Sequence, residues 1–254
     1  MKITFLGTGT SQGVPVVGCQ CEVCLSNNPK DKRFRSSIFI ETNDQRAILV
    51  DTSPDLRQQM LDNGISNIDF ILYTHEHSDH TAGIDDVRPI NFKHRKNIPV
   101  YGLSRVMNDL KDRFKYIFVN EYHPGLPKMT AHNIDDLNIN EKINITPIPL
   151  HHGKLEILGY RFGSFAYLTD VKSIPDSSKE LLKDLDLMVI NALHHGNHPT
   201  HMNLDEALMT VKELNPTKCL LTHLSHKMGK HDQISENLPE NVGFAYDGMS
   251  VRLK

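Results

Sequence analysis

Between positions 74 and 80 the chain reads Thr74-His75-Glu76-His77-Ser78-Asp79-His80, directly behind the apolar run Phe70-Ile71-Leu72-Tyr73. The apolar run reads as a buried strand, and three imidazoles and a carboxylate follow it at once. Side chains alternate along an extended segment, so His75 and His77 point to the same side. The chain must then bend, and Asp79 and His80 project together from the start of the next segment. A fold that accommodates this stretch must end a core strand at an edge lined with metal-binding groups. Imidazole and carboxylate donors at that spacing serve two neighbouring cations.

The same rhythm of strand followed by ligand recurs downstream. Ile143–Leu150 runs into His151-His152-Gly153, Phe165–Thr169 into Asp170, and Cys219–Thr222 into His223. We therefore expect one ion to take His75, His77 and His152, a second to take Asp79, His80 and His223, and Asp170 to bridge them. Nitrogen and oxygen donors without thiolate suit zinc, manganese or iron(II). Two cations about 3.5–4 Å apart hold a hydroxide between them and neutralise a phosphoryl group.

Cysteines at 19, 21 and 24 are too close in sequence to pair well as disulfides, but they make good thiolate ligands in a reducing cell. With His226, just beyond His223, they form a Cys3His set for a separate structural zinc. Cys219 stands alone in an apolar strand. Hydrolysis of a phosphodiester leaves an alkoxide that needs a proton, which a histidine supplies. His201 is the candidate acid, with His194, His195 and His198 as alternatives, and Asp79 joins it as a catalytic residue while serving as a ligand.

The net charge of −3 argues against a broad nucleic-acid-binding face. The chain begins on a strand-like Met-Lys-Ile-Thr-Phe-Leu-Gly and carries no membrane-length apolar run, so the expected location is cytoplasmic. The glycine-rich stretch Gly7–Gly13 lacks the Gly-Lys-Ser/Thr of a phosphate loop and reads as close backbone approach to the metal site. In the basic run 29–35, Arg33 or Arg35 is available to hold an anion.

Hairpins are expected at 37–50, at 158–169 around Gly163-Ser164, and at the end of the chain across Asp247-Gly248. Helices are expected at Pro54–Asn63, Ala82–Ile90, Ser104–Phe118 with Ser104 as a cap, Pro175–Leu185, and Leu204–Leu214 capped by Asn203. Residues 119–142 read as a loop or small hairpin facing the site. No linker marks a second domain. The expectation is one α/β domain over residues 1–254, with two sheets face to face and helices outside.

The pattern His75-x-His77-x-Asp79-His80 with His152, Asp170 and His223 resembles the metallo-β-lactamase superfamily over essentially the whole chain, which implies its four-layer αβ/βα sandwich. A narrower likeness lies in Leu6-Gly7-Thr8-Gly9, Gly13-Val14-Pro15, Gly18-Cys19-x-Cys21-x2-Cys24, Pro149-Leu150-x-His152-x-Lys154, Leu221-Thr222-His223-x-Ser225-His226 and Asp247-Gly248-Met249. These resemble the PhnP-type phosphodiesterases of the carbon–phosphorus lyase pathway. That likeness implies zinc on Cys19, Cys21, Cys24 and His226, a catalytic role for His201, and manganese-supported activity on ribosyl cyclic phosphates or other small phosphodiesters. A homodimer is suggested by this resemblance alone. Zinc β-lactamases carry cysteine where Asp170 stands, and flavo-diiron relatives carry glutamate where His77 stands, so neither activity is expected. A ribonuclease Z-like endonuclease and a lactone or thioester hydrolase are the alternatives. The first should carry a basic RNA-gripping arm, which the sequence lacks.

Overall fold

A computed structural model of the chain describes residues 1–118, 125–137 and 145–253. Among the described residues the strands form two mixed sheets, of seven and six strands. The chain divides into two compact units: Met1–Leu6, Ser37–Asn138 and Ser250–Lys254 in the first, Gly7–Ser36 and Ile139–Met249 in the second.

The first sheet begins with β1 (Lys2–Gly7), beside β2 (Ser37–Glu41). The latter forms the expected hairpin with β3 (Ala47–Val50), with Phe39 opposite Leu49. After α1 (Leu56–Asp62), β4 (Phe70–Leu72) pairs parallel to β3. Every residue of β3 and β4 is buried, which is why both read as unbroken apolar runs rather than as alternation. The chain continues through α2 (Ser78–Thr81) and α3 (Arg88–His94) to β5 (Ile98–Gly102), parallel to β4. It then forms α4 (Ser104–Arg113), which buries Val106, Met107 and Leu110 on one face, and β6 (Met129–Asn133), parallel to β5.

Several sequence expectations shift here. The helix expected at 82–90 is replaced by the short α2, a 3-10 turn at Ile84–Val87 and the later α3. Ser104 is the first helical residue rather than the cap, and its hydroxyl accepts from the Asn133 amide instead. The loop or hairpin expected over 119–142 contains the parallel strand β6, while 119–124 and 138–142 lie outside the described residues.

In the second unit β7 (Ile145–His152) and β8 (Leu155–Phe162) are antiparallel, and β8 makes the expected Gly163-Ser164 hairpin with β9 (Phe165–Leu168). The helix expected at 175–185 is only the short α5 (Asp176–Glu180). Then follow β10 (Leu187–Asn191), α6 (Leu204–Leu214), β11 (Lys218–Thr222), α7 (His231–Ser235) and β12 (Val242–Phe244). The strands β9, β10, β11 and β12 are mutually parallel. Helix α6 starts as expected: the Asn203 side chain accepts from the Glu206 amide and Glu206 accepts from the Asn203 amide, a reciprocal cap worth about 1 kcal/mol.

The expected C-terminal hairpin does not form. The strand β13 (Ser250–Arg252) leaves the second sheet and pairs antiparallel with β1, so Asp247-Gly248 joins strands of different sheets. Its two flanking apolar segments looked like hairpin arms because local alternation does not say which partner a strand takes.

Since β8 opposes both β7 and β9, the strands β7, β9, β10 and β11 all run the same way. Their carboxyl ends share one edge of the sheet, where α/β folds place their ligands. Among the described residues no helix is long and apolar enough to cross a membrane.

Candidate metal centres

In the first unit, β3 and β4 deliver their next residues to the carboxyl edge of the sheet. Asp51, directly after β3, is fully buried and adopts a left-handed backbone with φ of 63°. Asp tolerates that conformation better than most residues, and the turn aims its carboxylate back across the strand ends. Asp51 accepts from the Thr74 amide and hydroxyl, both at 2.8 Å, and from His80 Nδ1 at 2.7 Å. Burial raises its pKa, opposed by the adjacent His80. The Thr74 hydroxyl proton goes to Asp51, so its oxygen accepts from His75 Nδ1 at 3.0 Å.

These bonds fix ring tautomers. With Nδ1 of His75 and His80 donating into the protein, the lone pair of each ring is kept on Nε2, the form that ligates a metal. His75 Nε2 stands 3.0 Å from His77 Nδ1, and His80 Nε2 stands 3.2 Å from Asp79 Oδ2. Donors sharing one cation at about 2.0–2.1 Å lie about 3–3.4 Å apart, so both spacings fit. The structure thus brings His75, His77, Asp79 and His80 together in this unit. Asp51 is the functional residue that sequence reasoning missed; as the end of an apolar strand followed by Thr-Ser-Pro, it carried no ligand spacing of its own.

In the second unit the corresponding edge carries His152, Asp170, His201 and His223. The Nδ1 of His152 lies 2.8 Å from both the Asp170 and the Thr200 carbonyls, so its proton is directed there and its lone pair is kept on Nε2. Asp170 and His223 both turn left-handed as their strands end, with φ of 61° and 56°. Asp170 Oδ2 lies 3.2 Å from His223 Nδ1 and takes the Thr169 hydroxyl at 2.7 Å. The Ser36 hydroxyl donates to the Gly9 carbonyl, and its oxygen lies 3.1 Å from His223 Nδ1. Ser36 is a second contact that the sequence gave no reason to single out.

His201 is buried in this group. Its ring stacks on His223 at 4.8 Å, lies 4.6 Å from His152, and its Nδ1 is 3.7 Å from Asp170 Oδ1. Burial, then His223, push its pKa down to about 3. Of the alternative acids, His198 lies 5.1 Å from the His201 ring and His194 lies 6.0 Å from His198, farther out. His195 turns elsewhere, to the Met228 carbonyl at 2.9 Å.

The Cys3His set forms as expected. His226 Nδ1 lies 3.3, 3.4 and 3.5 Å from the sulfurs of Cys19, Cys21 and Cys24. One ring nitrogen cannot hydrogen-bond to three sulfurs at once. A tetrahedral zinc with Zn–S of about 2.3 Å and Zn–N of about 2.0–2.1 Å requires S···N edges of about 3.5 Å, which is the spacing observed. The Cys24 amide donates to Cys21 Sγ at 3.5 Å and pulls that thiol down to about 6, toward the thiolate a metal needs. Cys219 is buried in β11 and takes no part.

Arg33 does not serve as an anion-binding group. It is buried, with NH1 donating to Thr8 Oγ1 and the Ala245 carbonyl, both at 2.7 Å, and NH2 lying 3.2 Å from His231 Nδ1. Asp247 takes the Thr8 amide at 2.9 Å and the Phe34 amide at 2.6 Å. The glycine-rich stretch approaches this segment closely: a Cβ on Gly9 would sit 2.9 Å from Arg33 Cβ and from the Phe34 carbonyl. Arg33 and Asp247 thereby anchor the segment that leads from the cysteines to Ser36.

Comparison with known proteins agrees with this description. A family model described as a β-lactamase superfamily domain matches residues 46–224. The octanoyltransferase of Porphyromonas gingivalis W83 is 40% identical over 254 residues, which is 99% of this chain and 51% of that protein. Coenzyme PQQ synthesis protein B of Methylobacterium radiotolerans is 33% identical over 101 residues, covering 35% of this chain and 34% of its own. The chain therefore spans about half the length or less of these curated relatives. Among solved structures, a diphosphatase from the PhnP family is 40% identical with a TM-score of 0.92, covering 100% of this chain and 98% of that one. Zinc-bound PqqB from Methylobacterium extorquens, at 18% identity, has a TM-score of 0.76 with 100% of both chains covered, a likeness of fold. The chain belongs to the metallo-β-lactamase superfamily and has its fold.

Proposed function

We propose that the protein is a metal-dependent hydrolase that cleaves a P–O bond in a small phosphodiester, such as a cyclic ribose phosphate. The observation that carries this reading is the donor chemistry: imidazoles and carboxylates, with no thiolate among them, gathered at strand ends in each unit. His75, His77 and His152 would hold one cation, Asp79, His80 and His223 the other, with Asp170 between them. Two such cations supply Lewis acidity and a nucleophile active at neutral pH.

The residues of the chain do the rest. Asp51 and the Asp170 and Thr200 carbonyls hold the rings of His80 and His152 with Nδ1 protonated. Asp79 would serve as a ligand there and, beside His80 Nε2 at 3.2 Å, orient what binds next to it. His201, buried against His152 and His223, hydrogen-bonds the leaving oxygen and gives it a proton. An anionic phosphoryl group next to His201 opposes the burial that holds its pKa low.

A second reading, hydrolysis of a diphosphate linkage, is favoured by the PhnP-family diphosphatase at 40% identity. It uses the same residues, since both substrates present an anionic phosphorus centre with a leaving oxygen. The octanoyltransferase name belongs to a protein of which this chain matches about half. The test is turnover by manganese- and zinc-loaded protein of a cyclic ribose phosphate, an aryl phosphodiester, a dinucleoside diphosphate, a lactone and a tRNA precursor. Turnover confined to the lactone or the tRNA would overturn the reading.

A further inference from the structure

We propose that α4 clamps the ligand loop, with Arg105 and Arg113 as positioning residues for His75 and His77; the inference rests on the metal-centre reading above. Residues 75–77 belong to no helix or strand, so their orientation depends on side chains from elsewhere. The two arginines stand at opposite ends of α4 and both reach Glu76, the residue between the two histidines. Arg105 Nε donates to Glu76 Oε1 at 3.1 Å. Arg113 NH2 donates to the Glu76 carbonyl at 2.9 Å and to Thr81 Oγ1 at 2.8 Å. The Thr81 hydroxyl in turn donates to the His77 carbonyl at 2.9 Å, and Asp109 steadies Arg113 through its Nε at 2.7 Å.

The peptide on either side of His77 is thus tied to α4 and α2, while its neighbour His75 is tied through Thr74 to Asp51. Metal ligands must be held within about 0.5 Å of their working positions, and an arginine fork suits this because it binds two acceptors in one plane. The Arg105–Glu76 pair is about one-third and one-quarter exposed, with side-chain accessibilities of 35% and 24%. Such a pair adds little to global stability, so its role is one of placement.

The test is calorimetric titration with Mn(II) and Zn(II) of wild-type, Arg105→Ala, Arg113→Ala and Arg113→Lys proteins, with metal content and melting temperature measured alongside. Arg113→Ala should bind the loop's ions roughly 10- to 100-fold more weakly, and Arg105→Ala should weaken them less. The zinc held by the cysteines should stay in full, and the metal-free melting temperature should scarcely move. Arg113→Lys should recover part of the loss, since one ammonium still reaches one acceptor. Affinities within twofold of wild type in both alanine variants would overturn the clamp while leaving the metal centre standing. So would a loss shared equally by both kinds of site and by the metal-free melting temperature. A wild-type protein that takes up only one equivalent of zinc would overturn the metal-centre reading, and the clamp with it.

Discussion

Asp51 Oδ2 lies 2.7 Å from His80 Nδ1, with both side chains fully buried. Replacing Asp51 by Asn places an amide against that nitrogen and allows the ring proton to move to Nε2, the ligating atom. Asp51→Asn should therefore lower metal affinity at the His80 site by about 10- to 100-fold, as measured by titration of the metal-free protein. Asp51→Ala should also destabilise the fold by about 1–3 kcal/mol in chemical denaturation, because it leaves the Thr74 amide and hydroxyl without their acceptor.

Removing one thiolate tests the Cys3His site. Cys21→Ser should lose about one equivalent of zinc and retain the other metals. Since a zinc there would tie Cys19, Cys21 and Cys24 to His226, the melting temperature should fall by at least about 5 °C, corresponding to about 2 kcal/mol in a chain of this size. Unchanged zinc content would remove the site.

His231 sets a pH dependence. Burial, with the nearby Arg33, pushes its imidazole down to about 4 from an ordinary 6.5. Between those values the unfolded chain binds the proton and the folded one does not, so folding becomes less favourable as pH falls. The stability from a neutral His231 is complete above about 6.5 and is lost as pH drops through about 4. In His231→Asn, whose amide oxygen still accepts from Arg33, this loss is absent. The melting-temperature advantage of wild type over the variant should shrink from pH 7.5 to pH 4.5; parallel curves would contradict it.

His201 is tested by the leaving group. An alkoxide needs a proton on departure and a nitrophenolate hardly does. His201→Ala should lose about 100-fold or more in kcat on an alkyl phosphodiester and about 10-fold or less on a nitrophenyl ester. Equal losses would take His201 out of the acid role.

The grouping of these histidines and carboxylates was legible because they sit at the ends of strands whose apolar runs are plain to read, as at Phe70–Leu72 before His75 and Lys218–Thr222 before His223. It carried the Cys3His partner because three cysteines demand a fourth donor. It did not carry Asp51 or Ser36, whose importance comes from the rings they touch, residues far away in sequence. Arg33 looked like a surface cation in a basic run, but Thr8, Ala245 and His231 surround it in the fold. The β6 strand and the separation of β12 from β13 were missed for a related reason: strand partners are chosen by tertiary packing, and local pattern does not record the choice.

Hydrolysis in water enriched in 18O tests the central claim most directly. Metal-loaded protein turning over a small phosphodiester should place one 18O in the phosphate-bearing product and none in the released alcohol, because water attacks phosphorus. Label appearing on carbon, or no turnover of any phosphorus ester by fully loaded protein, would contradict the account.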